Sequence, residues 1–89
     1  IISNARETMD YLTREIRKSN AVDIVDNKII INASVYRLED RILYKDDKKI
    51  IEGIDELNIN KTDNAINIEI VIKDSGGKDH ILSSTINIR

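Results

Sequence analysis

The chain has 89 residues, a net charge of −2 and no cysteine, which excludes disulfides, thiolate nucleophiles and cysteine-based zinc sites. It is long enough for one small domain, and with no Trp, no Phe and three Tyr its core must be aliphatic, with isoleucine dominant. Lys and Arg are interspersed with Asp and Glu, so no basic run marks a nucleic-acid footprint, and the longest apolar runs are three residues against about twenty for a membrane span.

Residues 1–19 predict a helix. Ile2, Ala5, Met9, Leu12 and Ile16 recur at three- and four-residue steps, the spacing of one narrow buried stripe. Arg6 with Asp10 and Asp10 with Arg14 are opposite charges four apart, worth a few tenths of a kcal/mol each. Arg17 and Lys18 suit the last turn, and Asn20 suits the position after it. Nothing precedes Ile1 to cap the helix, so a cut end is expected, with the natural helix continuing upstream.

The remainder reads as strands. A short strand is expected at 23–25, followed by a turn at Asp26-Asn27. Three isoleucines within 28–33 suggest one strand covered on both faces. Residues 35–39 and 41–45 form a predicted hairpin about Glu39-Asp40, then Asp46-Asp47-Lys48 turns into a strand at 49–51 that Gly53 ends. Residues 56–60, 66–73 and 80–88 alternate apolar and polar, with Ile66, Ile68, Ile70 and Ile72 the clearest case. They read as a three-strand meander with a loop at 74–79. One apolar sheet face needs a cover and the helix stripe needs a floor. The expected fold is therefore α+β, a single domain over 1–89 with the N-terminal helix packed on an antiparallel β-sheet region at 28–89.

Candidate chemistry is sparse. His80, the single histidine, stands beside the 74–79 loop, where Ser75 and Asp79 give no rigid catalytic geometry; an exposed turn residue is the expectation. The segment Asp74-Ser75-Gly76-Gly77-Lys78-Asp79 superficially resembles a calcium loop but lacks the EF-hand spacing and its closing Glu. A hairpin turn is expected, with a weak surface calcium site as the alternative. Tyr36 and Tyr44 lie near Arg37, Arg41, Lys45, Lys48 and Lys49, a grouping that folding would have to gather before it could stack on single-stranded nucleic acid. The plainer expectation is tyrosines leaning on the sheet with wet hydroxyls. No acid, base and nucleophile fall together, so no enzyme, cofactor, metal or small-molecule substrate is expected.

The order of these parts resembles minor type IV pilins and type II secretion pseudopilins of the J/W type. The residues 5–19 resemble the C-terminal half of their long first helix. Val35-Tyr36-Arg37-Leu38 with Arg41-Ile42-Leu43-Tyr44 is similar to their hairpin motif. Ile51-Glu52-Gly53-Ile54-Asp55-Glu56-Leu57-Asn58-Ile59 is similar to the segment that follows, and Ser84-Thr85-Ile86-Asn87-Ile88-Arg89 to their last strand. The prepilin cleavage site, the hydrophobic N-terminal helix and its acidic residue are not in this sequence.

The resemblance implies a non-enzymatic subunit, anchored in the inner membrane by an upstream helix before assembly and exported to the cell surface or filament tip. It would help initiate a pilus or secretion-like filament through contacts with other major and minor pilins. Partner contacts are expected at Ile1, Ile2, Ala5 and Met9 on the helix. The alternative is a tip-located binding module for DNA or a surface ligand.

Overall fold

The computed structural model describes residues 2–19 and 21–87, with side chains from residue 4 onward. Among the described residues one helix, α1 (Ile2–Lys18), precedes eight strands: β1 (Val22–Val25), β2 (Lys28–Ile31), β3 (Ser34–Glu39), β4 (Ile42–Lys45), β5 (Lys48–Glu52), β6 (Glu56–Lys61), β7 (Ala65–Lys73) and β8 (Asp79–Asn87). All pairings are antiparallel. β1 to β5 form a five-stranded sheet in chain order, and β6 to β8 form a separate three-stranded sheet.

The α+β expectation, a helix on one antiparallel sheet, is corrected by this arrangement. The chain is mostly β, with a short helix and two sheets. The reason lies in the turns of residues 22–52. Asp26-Asn27, Asn32-Ala33 and Asp40-Arg41 each place two successive residues at positive φ, between 50° and 74°. That is the type I′ geometry, whose twist matches the flanking strands and closes a hairpin with two residues. Asn and Asp tolerate the left-handed region, so no glycine announces these turns. The expected strand at 28–33 therefore stops at Ile31, and the turn expected at Glu39-Asp40 falls one residue later. Ile29 and Ile31 are buried while Ile30 is half-buried, so β2 is covered mainly on one face.

The three-strand meander stands as its alternation predicts. β7 is central, and Ile66, Ile68, Ile70 and Ile72 are all buried. Each such side chain contributes roughly 1.5–3 kcal/mol on leaving water. α1 lies against β7 and β8 and reaches β5, so its stripe of Ala5, Met9, Leu12 and Ile16 joins one core with Ile29, Tyr36 and Leu43 of the larger sheet. Thr8 also lies in this stripe, fully buried, its hydroxyl donating to the carbonyl of Asn4 at 2.8 Å. A buried hydroxyl satisfied within its own helix leaves no apolar signal for periodicity to detect. Arg17 and Lys18 do occupy the last turn, which closes through Ser19: its amide and hydroxyl both donate to the carbonyl of Ile16. Asn20 lies outside the described residues.

Candidate functional site

The partner positions expected on the helix divide into two groups. Ile1 lies outside the described residues, as does the side chain of Ile2. Ala5 is fully buried and Met9 is 8% exposed, both inside the chain's own core. The helix surface open to solvent is instead Arg6, Glu7, Asp10, Arg14, Arg17 and Lys18. Its charges pair differently from the four-residue spacing read in the sequence. Lys18 reaches Glu15 at 3.0 Å, and Arg14 donates to the backbone carbonyl of Asp10. The Lys18 hydrogen bond holds the Glu15 carboxyl below its ordinary range, with a smaller contribution from the Tyr36 hydroxyl.

The tyrosine and basic cluster is largely spoken for. Tyr36 is 1% exposed, where no base can stack on it. Its hydroxyl is not wet but donates to Glu15 at 3.2 Å, and its ring lies 6.1 Å from that of Tyr11 at a tilted angle. Burial is the main force pushing its phenol well above the ordinary range. Arg37 lies 4.6 Å from the Tyr44 ring centroid. One of its terminal nitrogens is buried without a hydrogen-bond partner, a cost that the aromatic face partly offsets. Arg41 pairs with Asp55 at 3.0 Å and Lys49 with Glu52 at 2.6 Å, so part of the basic charge is answered locally.

The 74–79 loop is organised by one carboxylate. Asp74 Oδ1 accepts from the amides of Gly76 and Lys78, both at 2.9 Å, and Oδ2 lies 3.0 Å from His80 Nε2. The Lys78 amide, followed by His80, keeps this carboxyl below its usual range. Both oxygens are engaged within the hairpin. Among the described residues, no group of three His, Asp or Glu side chains is placed to hold a metal ion.

The densest polar geometry is a junction between the elements, which sequence reasoning did not single out. Gly53 adopts a φ of +90°, and a Cβ there would stand 3.1 Å from Asn4 Nδ2. Asn4 uses that same nitrogen to donate to the carbonyl of Glu52 at 3.0 Å, tying α1 to the end of β5. Two residues on, Asp55 is 16% exposed in its side chain. One of its oxygens holds Arg41 from the β3–β4 turn, and the other accepts the amide of Lys73 at 2.6 Å, at the end of β7. One carboxylate thus joins the two sheets.

A second tie lies at their flank. Asn27 donates to the carbonyl of Leu57 at 2.7 Å and accepts from the amide of Ile59 at 3.2 Å, acting on β6 as a short strand would. Lys61 donates in return to the carbonyl of Val22. The cleft beside these residues, about 380 Å³, is lined by Lys28 and Arg37 but also by Asp26, Glu39 and Glu56. Its mixed charge favours neither an anion nor a cation.

Among the described residues, no helix is long and apolar enough to cross a membrane. No family model, no curated protein and no solved structure matches the chain.

Proposed function

We propose that this chain is the folded part of a non-enzymatic filament subunit of the minor-pilin kind. It helps initiate a type IV pilus or type II secretion-like filament through contacts with other pilins. The observation that carries this reading is the junction. Two of the segments that resemble minor pilins take part in ties that hold the molecule together. Arg41, from the hairpin motif, meets Asp55, from the segment after it, and Gly53 of that segment gives Asn4 room to hold α1. A motif spent on fixing how a helix meets its sheets suits a subunit that works by presenting a rigid surface, because preformed surfaces lose less entropy on association.

The test is deletion of the full-length gene in its native cell, with surface filaments counted by electron microscopy. Filaments should become sparse or vanish and return when the gene is restored. A normal number of filaments after deletion overturns the reading.

A further inference from the structure

The two sheets have four outer strands, and three of their free sides are managed. β1 and β6 face each other, joined by Asn27 and Lys61. β5 is short, carries Lys48, Lys49 and Glu52, and pairs with β4 through a register shift. Charge, shortness and irregularity are the usual protections of an open edge. β8 is long and regular, and its one carboxylate, Asp79, stands at its very first residue. It runs nine residues in unbroken register with β7 and, among the described residues, pairs with no other strand. From Ile81 to Asn87 it contains no charged residue, no Pro and no Gly. Ile81 is 58% exposed, the most exposed large apolar side chain among the described residues.

We propose that β8 pairs antiparallel with β8 of a second copy of this chain, about a two-fold axis at Ser83. The strand is self-complementary in that arrangement. Asp79, its one carboxylate, falls opposite Asn87, and Ile81 falls opposite Thr85, two β-branched residues whose packing favours the pair. Parallel pairing in register would set Asp79 against its own copy. The product is one continuous six-stranded sheet built from two three-stranded ones. Contact along a single edge places it among weak, reversible dimers. This inference is independent of the filament reading: it is tested on purified chains, and either can fail alone.

The experiment is sedimentation equilibrium from micromolar to millimolar chain, on the wild type and two double variants. Ile81→Lys with Thr85→Lys sets like charges opposite each other twice across the axis. Ile81→Lys with Thr85→Glu removes the same two side chains but sets opposite charges there. Circular dichroism melts should show both variants folded alike, since both positions are exposed. The wild type should dimerise with rising concentration. The Lys/Lys variant should dimerise more weakly, by roughly three- to tenfold, and the Lys/Glu variant should regain the loss. A wild type that stays monomeric throughout overturns the proposal. So does equal dimerisation of the two variants, which would place any contact elsewhere.

Discussion

The two sheets are built on opposite principles. The five-stranded sheet has strands of four to six residues joined by tight turns, and its order follows from those turns. The three-stranded sheet has strands of six and nine residues, and its order follows from burial of β7 between its neighbours. The first is specified locally and covered on few positions. The second is specified by a greasy face that only the whole molecule can cover. Stability should therefore be concentrated in the second and joined to the first through a few polar ties.

The largest effect should come from β7. Ile68→Ala removes a fully packed side chain and should cost about 2–5 kcal/mol in urea unfolding, whereas Ile30→Ala, half-buried on β2, should cost less than half of that. Equal losses would break the contrast. Next comes the tie between the regions. Gly53→Ala forces a side chain into positive φ and against Asn4, and should cost roughly 1–3 kcal/mol. The amides of α1 should then exchange faster with solvent.

Tyr36 sharpens the comparison from the side of the larger sheet, which it links to the helix as Asn4 does at the end of β5. Its phenol titrates higher in the native state than unfolded, so the stability it contributes is full below about pH 10 and declines as the pH rises above that. Tyr36→Phe should flatten alkaline unfolding and cost about 1 kcal/mol at neutral pH through the lost bond to Glu15. Ala33→Gly probes the turn logic directly. Ala33 sits at a φ of 74°, and relief of left-handed strain should exceed the added unfolded entropy by about 0.5 kcal/mol, read as a rise in melting temperature.

The smallest effect is at Asp74. Its carboxyl lies below the usual range, so its contribution is present above about pH 4 and is lost as the pH falls through its lowered native value. In an NMR titration the amides of Gly76 and Lys78 should shift together with that carboxyl, and Asp74→Asn should abolish the coupled shift.

The same contrast explains what the sequence disclosed. Ile66, Ile68, Ile70 and Ile72 alternate in a run long enough to fix strand, face and partner without help, and the 74–79 hairpin follows from Gly76 and Gly77. In the larger sheet the apolar run Ile29-Ile30-Ile31 hid a strand end, because Asn32-Ala33 turns without glycine or proline. How the two sheets are joined was not legible, since the ties run through Asp55 and Asn27, polar residues in connections that carry no periodicity. The Tyr36 hydroxyl, expected wet, is instead bonded to Glu15, because an isolated tyrosine in a strand gives no sign of what covers it. The helix stripe was legible from residue 5 onward, apart from Thr8, and for the same reason Ala5 and Met9 belong to the core.

The docking of α1 on β7 and β8 has a consequence for how the chain is made. α1 leaves the ribosome ahead of all eight strands yet needs a floor supplied by β7 and β8, whereas each neighbour pair in β1–β5 is complete a few residues after it begins. During synthesis the hairpins close in succession while the greasy side of the helix waits, open to chaperones or to a membrane surface. A ribosome stalled before β7 would hold a helix with nowhere to settle.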